Sequence, residues 1–230
     1  MFQRPVIWLL ILLFAILGLA TWQLNKENIQ INLVDNYQSD LSQTDLFNIT
    51  KTTSKAPDKV LVFPDDPIQG QRSNMLVTII EFSDFECPYC LQVAPILKNI
   101  VEQSSNTIKL VWKDFPLPGH NQALAAAEAA QCAARQGKFW EYHNELFKNQ
   151  SNLGSELYTK IATDLGIAGT SFSNCLSKHE TKPLINRNIE EADSVGVDGT
   201  PYLIINGQVY NGAISAEEIN NFIKQVTKQS

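Results

Sequence analysis

The motif Cys87-Pro88-Tyr89-Cys90 stands at the junction of two segments with different periodicities. Before it runs Met75 to Phe82 (MLVTIIEF), rich in branched and aromatic side chains, the pattern of a buried strand. After it, Leu91 to Val101 places apolar residues at helical spacing, and Pro88 suits a first helical position, where no intrahelical N–H is lost. A chain so patterned turns from strand to helix at the cysteines. Two cysteines three positions apart at a helix start share one face and close a small ring. Delivered by a strand to a helix N-terminus, such a pair is laid out for thiol–disulfide exchange. Half a zinc site or two buried structural cysteines are the alternatives. A zinc site ordinarily needs a second CxxC or a CxxH pair. Here Cys132 and Cys175 are far apart and the three histidines are scattered, so no metal is expected.

The order of the remaining segments sets the architecture. Lys59 to Phe63 (KVLVF) gives a short strand signal that ends at Pro64-Asp65-Asp66-Pro67, and residues 70–74 read as a loop. The helix after the cysteines is expected over 88–103, with a kink at Pro95. Thr107 to Trp112 (TIKLVW) is the next strand, so strand, helix and strand form a βαβ unit with parallel strands. Helical patterns follow over 121–136, 138–148, 155–165 and 171–194, the last in two pieces around Pro183. They make an insertion of about residues 120–195. The sheet resumes at Tyr202 to Ile205, Asn206-Gly207 signals a tight hairpin, and Gln208 to Tyr210 returns. Ser215 with Glu218 reads as a capping box opening a last helix. There is no internal repeat.

The N-terminus bears on compartment. Val6 to Trp22 (VIWLLILLFAILGLATW) is an uninterrupted apolar stretch preceded by Arg4. Its length lies between a signal h-region and a membrane span. Gly18 and Ala20 offer small residues for cleavage, whereas apolar character continuing through Leu24 favours a retained anchor; in either case the remainder crosses the membrane. Residues 23–58 are polar and aperiodic, a spacer between membrane and domain. The net charge of −6, with no basic stripe, argues against nucleic acid as a partner. Four cysteines, an even number, fit an oxidising compartment.

Several stretches together resemble the DsbA-like family of extracytoplasmic thiol–disulfide oxidoreductases, especially its membrane-anchored, BdbD-like branch. They are DDPIQG, TIIEFSDFECPYC, WKDFPLPGH, the alanine-rich helix running into QGKFWEYHNELF, and GVDGTPYLIING. The resemblance implies an α/β, thioredoxin-like fold over residues 59–230, with a helical domain inserted between the βαβ unit and the C-terminal β-hairpin–helix. It implies a redox-active disulfide with no further cofactor. The clients would be reduced or unfolded extracytoplasmic proteins, and a membrane quinone-linked thiol oxidase would recharge the pair.

Residue roles follow from chemistry and resemblance together. Cys87, at the helix N-terminus, faces unpaired N–H groups and the positive end of the helix dipole, so its pKa should fall below the free value of about 8.5. Cys90, one turn in, is the resolving cysteine. The resemblance implies a buried acid beneath the helix at Glu81, six residues before Cys87; a carboxyl in such an apolar run has a raised pKa and can exchange a proton with Cys90. An outward-facing acid is the alternative. Thr200-Pro201 corresponds to the cis-proline turn that lies against the CxxC in thioredoxin folds and lets substrate pair as an added strand; an ordinary trans turn is the alternative. Pro88 and Tyr89 tune the pair and face substrate. Relatives with histidine in place of Tyr89 are strong oxidants, so tyrosine implies intermediate force.

Cys132 and Cys175 correspond to a pair that can form a second, structural disulfide in the resembling branch; otherwise they are two buried thiols. Phe139, Trp140, Tyr142 and Phe147 read as core. His120 reads as a capping or positioning residue, Lys113 and Asp114 as candidates for a place beside Glu81, and Asp65 and Asp66 as a solvated turn or calcium ligands. The expected function is oxidation of folding extracytoplasmic proteins. The alternatives are a disulfide isomerase or reductase kept reduced by a membrane donor, and a membrane-tethered peptide-binding chaperone.

Overall fold

The computed structural model describes residues 60–70, 73, 75–104 and 106–227. The expected anchor at 1–22 and spacer at 23–58 lie outside the described residues. Among the described residues no helix is long and apolar enough to cross a membrane.

Strand β2 (Val77–Ser83) combines branched and aromatic side chains and is buried along its whole length. It leads into α1 (Pro88–Gln103), which returns to β3 (Ile108–Asp114). The two strands run parallel, with Val77 opposite Ile108 and Ser83 opposite Asp114. Burial on both faces explains why each reads as a near-continuous apolar run. β1 (Ile68–Gly70) adds antiparallel to β3. β4 (Tyr202–Ile205) and β5 (Gln208–Asn211) form the C-terminal hairpin, with β4 antiparallel to β2. The order across the sheet is β1-β3-β2-β4-β5. Asn206 and Gly207 turn the hairpin with φ of 46° and 83°, the geometry that makes this dipeptide a hairpin signal.

Between β3 and β4 stand α2 (Ala123–Ala134), α3 (Phe139–Lys148), a 3-10 turn (Gln150–Asn152), α4 (Ser155–Asp164), α5 (Gly169–Ser177) and α6 (Lys182–Val195). Pro183 lies in the first turn of α6, which is why the 171–194 pattern divides there. The last described element is α7 (Ala216–Thr227), opened by a reciprocal cap. The Glu218 N–H donates to Ser215 Oγ at 3.2 Å, and Glu218 Oε2 accepts from the Ser215 N–H at 2.9 Å.

The two faces of the sheet bury different partners. Val77, Ile79, Leu110 and Leu203 pack against Val93 and Leu97 of α1 and Ile219 and Phe222 of α7. Ile80, Phe82, Val111 and Ile204 pack against Val60, Val62 and the Ala192 and Val195 side of α6. A third cluster fills the helical insertion and reaches Phe85, Cys87, Cys90 and Trp112 at the sheet's end. The CPYC segment therefore lies where the sheet meets the inserted helices.

Two local expectations are corrected. The strand expected over 59–63 is absent: Val60 to Phe63 is irregular, and Lys59 lies outside the described residues. Side chains satisfy this backbone in place of a neighbouring strand: Glu191 Oε1 accepts from the Leu61 N–H at 2.6 Å, Lys113 Nζ donates to the Leu61 carbonyl at 2.7 Å, and Asp66 Oδ2 accepts from the Phe63 N–H at 2.7 Å. The edge strand forms instead at Ile68–Gly70, running into the expected loop. Gly70 has φ of 89°, and a Cβ there would sit 2.3 Å from the Ile108 carbonyl oxygen, so this close pairing needs glycine.

Candidate active site

Cys87 is the N-cap residue of α1, with extended backbone (φ −74°, ψ 123°) and its carbonyl accepting from the Leu91 N–H at 3.2 Å. Its sulfur therefore lies at the amino end of the helix. Both cysteines of the motif are free thiols and both are buried, while Pro88 and Tyr89 between them face solvent, Tyr89 at 57% exposure. Opposite stands the Thr200–Pro201 peptide, which is cis. The Thr200 carbonyl accepts a hydrogen bond from Cys87 Sγ at 3.3 Å, so the turn before β4 touches the first sulfur directly.

The environment separates the two thiols. The Cys90 thiol's hydrogen bond lowers the Cys87 pKa most; burial opposes it, and the Cys90 and Tyr89 backbone N–H groups add to the lowering, leaving Cys87 at about 5. Burial pushes Cys90 the other way, reinforced by its bond to Cys87 and by the charge on Glu81. Glu81 is itself buried and raised by burial to about 7. It pairs with Trp112 and Leu203 on the neighbouring strands, on the same face as Ser83 two residues on.

A second buried acid shares that face. Asp114, opposite Ser83, is raised by burial to about 7, although Trp112 Nε1 donates to it at 2.7 Å and Gln131 Nε2 at 2.6 Å. Trp112 stacks on Phe85 with ring centroids 4.7 Å apart, tying Asp114 to the loop that carries Cys87. Lys113 points the other way. It is opposite Phe82 and makes a buried ion cluster with Asp66 at 2.6 Å and Glu191 at 2.8 Å, so of the two expected residues only Asp114 shares the face of Glu81. Asp66 is accordingly neither a solvated turn residue nor a metal ligand: Lys113 and Arg187 neutralise it, and Arg187 also pairs with Asp65. Among the described residues no group of acids, histidines and cysteines is placed to hold a metal.

Cys132 of α2 and Cys175 of α5 are joined in a disulfide, with Cα atoms 5.9 Å apart, inside the helical insertion.

Residues 64–225 match the family model described as "Thioredoxin". The chain belongs to this thioredoxin family. Its fold is that of DsbA-like thiol–disulfide exchange proteins. The crystal structure of alpha-DsbA2 from Wolbachia pipientis superposes with a TM-score of 0.64 at 21% identity, covering 89% of this chain and 98% of that one. Oxidised BdbD from Bacillus subtilis gives 0.66 at 19% identity, covering 78% and 100%. By sequence, the Na(+)/H(+) antiporter NhaA 3 of Salinispora tropica is 34% identical over 163 residues, which are 70% of this chain and 25% of that protein. NhaA 1 of Mycolicibacterium gilvum is 33% identical over 185 residues, 76% of this chain and 30% of that protein. The chain spans about a quarter of the length of these curated relatives.

The surroundings of the CPYC also contain residues that sequence reasoning missed. Asp84 receives the Glu86 N–H on Oδ1 at 2.7 Å, and on Oδ2 the Leu117 N–H at 2.8 Å and His120 Nδ1 at 2.7 Å. Glu86 Oε2 accepts from the N–H of Gln122, the N-cap of α2, at 2.6 Å. Gln150, from the 3-10 turn, donates Nε2 to the carbonyls of Phe85 and Cys87, both at 2.9 Å. His143 lies in an aromatic cage of Phe85, Trp112, Phe139, Trp140 and Phe147, and burial lowers it to about 4, so it is neutral. Acidic residues just before the CPYC, the histidine read as a capping or positioning residue at 120 and an amide-bearing turn far downstream were the signals for these contacts.

Proposed function

We propose that the chain is an extracytoplasmic thiol–disulfide oxidoreductase that donates the Cys87–Cys90 disulfide to folding secreted or periplasmic proteins. The observation that carries this reading is the placement of the two sulfurs: Cys87 lies at a helix N-terminus against the Thr200 carbonyl with its pKa lowered to about 5, and Cys90 lies behind it with its pKa raised by burial. A stabilised thiolate favours the reduced protein, so the disulfide is readily given up. A thiol of pKa about 5 gains up to about 2.7 kcal/mol at pH 7 by ionising, which for a two-electron couple is up to about 60 mV; solvent screening at the mouth of the site reduces both.

The exchange runs in two displacements. A client thiolate attacks Cys87 Sγ; the Cys87–Cys90 bond breaks, a mixed disulfide forms, and Cys90 leaves with the electron pair. Glu81, protonated up to about pH 7, supplies the proton that Cys90 then holds. A second client thiolate attacks the client sulfur of the mixed disulfide and expels Cys87 as thiolate. The client has lost two electrons and the protein has gained them; the two sulfurs suffice without a cofactor. Tyr89, Pro88 and the Thr200–Pro201 turn form the surface against which the client lies. Leu91, Ala94, Pro95 and Phe147 line an adjoining apolar groove of about 250 Å³ suited to unfolded chain. The Cys132–Cys175 bond is assigned a structural role. Residues 6–22 place the domain outside the cytoplasmic membrane, as an anchor or a cleaved signal, where a membrane quinone-linked thiol oxidase restores the disulfide.

The test is to equilibrate the protein in glutathione buffers and measure the potential of the Cys87–Cys90 couple. The expected value lies above about −200 mV, whereas a value near thioredoxin's, about −270 mV, overturns the donor role. The redox state in cells distinguishes the remaining choice: mostly oxidised supports the donor, and mostly reduced supports an isomerase or reductase.

A further inference from the structure

The loop that delivers Cys87 carries two acids, Asp84 and Glu86, three and one residues before the sulfur. Left bare, two carboxylates this close oppose formation of a thiolate. Neither is bare. Glu86 meets the backbone N–H at the amino end of α2, where the helix dipole favours a negative charge. Asp84, whose carboxyl is fully buried, takes two backbone N–H groups and, at 2.7 Å, the Nδ1 of His120. His120 is held in reach by its own turn: its N–H donates to the Leu117 carbonyl at 3.1 Å, and its carbonyl accepts from Ala123 N at 3.4 Å. Its side chain remains 29% exposed, open to exchange protons with solvent.

We propose that His120 sets the acidity of Cys87 by neutralising Asp84, so that the turn before α2 supplies the positive charge that the Pro88-Tyr89 dipeptide lacks. This deepens the exchange reading and rests on Cys87 being the reacting sulfur. The groups facing His120 are Asp84, Glu86 and Cys87, and Tyr158 of α4 lies beyond Glu86. Burial works against a charge on His120, but Asp84, then Glu86, then Cys87 raise its pKa above 6.5. While His120 holds its proton, the Asp84–His120 pair is neutral and the Cys87 thiolate faces no net charge from it. Once the proton leaves, the charge of the carboxylate three residues before the sulfur is no longer balanced, and the thiolate is disfavoured. The coupling is reciprocal. A disulfide at Cys87 carries no charge, so oxidation lowers the affinity of His120 for its proton, and disulfide donation raises it.

The test uses the wild-type protein first. NMR titration of the histidine ring signals, with that of His120 assigned by its loss in His120→Gln, is run on the oxidised and reduced forms. The midpoint of His120 is expected to be higher in the reduced protein by about half a pH unit, from two charges interacting through partly screened medium. Equal midpoints overturn the proposal. Thiolate absorbance of Cys87 against pH gives the reciprocal reading: His120→Gln moves its midpoint up by about the same amount, whereas an unmoved midpoint overturns the proposal. In an Asp84→Asn background, adding His120→Gln is expected to have less effect; an undiminished effect shows that His120 does not act through Asp84 and overturns the mechanism. Failure of the parent reading looks different, since Cys87 would then titrate near about 8.5 in the wild type and in every variant alike.

Discussion

The two cysteine pairs of this chain are the same chemistry in opposite settings. Cys87 and Cys90 lie at a junction, where a strand ends, a helix begins and the Thr200 carbonyl touches the sulfur. Cys132 and Cys175 lie within a helical layer among alanines and Phe172. The first pair has polar surroundings that discriminate between thiol and thiolate: a helix N-terminus, a buried carboxyl, two acids and a histidine. At the second, the Thr181 hydroxyl stands 4.0 Å from the Cys132 sulfur. Reactivity is thus set by what surrounds the sulfur, and the pairs can be separated by experiment.

The sharpest separation is to remove the buried pair. The bond closes a loop of 43 residues, and losing it frees the unfolded chain by about 3 to 4 kcal/mol in the loop-entropy account. Cys132→Ala/Cys175→Ala is therefore expected to lose about 3 to 4 kcal/mol of unfolding free energy, read by urea denaturation, while the Cys87 thiolate midpoint is unchanged. A large shift of that midpoint would break the comparison by showing that the two pairs share one electrostatic unit.

How far each pair was legible in sequence follows the same division. The CPYC, Asn206-Gly207 and the Ser215–Glu218 cap are local: each acts through residues within a few positions, so spacing reveals it. The strand positions of Glu81 and Ser83 follow from alternation. Lys113 and Asp66 were misread because their partners lie elsewhere in the chain: the three charges of the Lys113–Asp66–Glu191 cluster come from three separate segments. The same holds for β1, whose edge pairing is to residues some forty positions on, and for Asp84–His120, 36 residues apart. A hydrogen bond across such distances leaves no periodic trace. The lysine facing Asp66 and the histidine facing Asp84 leave no mark in a composition count and are revealed only once the fold has placed them.

Glu81 gives the next largest effect, and with opposite sign to the buried disulfide. Its pKa in the folded protein is about 7 against 4.5 ordinarily, because burial disfavours its charge. The folded state then binds this proton more tightly than the unfolded state does. The corresponding stability is complete below about pH 4.5 and is lost as pH rises through about 7, up to about 3 kcal/mol. Glu81→Gln cannot ionise, so its stability relative to wild type should rise by up to about 3 kcal/mol between pH 4.5 and pH 8, measured by denaturant midpoints at the two pH values. The same variant is expected to slow reoxidation steps that move a proton at Cys90. A flat difference between wild type and variant across this range would place Glu81 in contact with water rather than beneath α1. The Cys87–Cys90 pair, on this view, is maintained at the expense of stability, and the Cys132–Cys175 pair contributes to it.

The smallest effect is the most local. Gln150 spans the two carbonyls at Phe85 and Cys87 from a 3-10 turn more than sixty residues away, and it joins the helical insertion to the loop carrying Cys87. Two such bonds are worth about 1 kcal/mol each net of water, so Gln150→Leu is expected to lose about 1 to 2 kcal/mol of stability. The location of the loss is more informative than its size. Hydrogen exchange should quicken at the amides of Cys87 to Leu91, whose first helical turn begins at the freed Cys87 carbonyl, and stay unchanged around Cys132 in α2. Uniform acceleration across both regions would mean that Gln150 is an ordinary contributor to global stability. Confinement to the first turn of α1 would mean that the inserted helices hold the N-terminus in place, so that the partial charges facing Cys87 keep their direction while the rest of the insertion remains indifferent to the chemistry beside it.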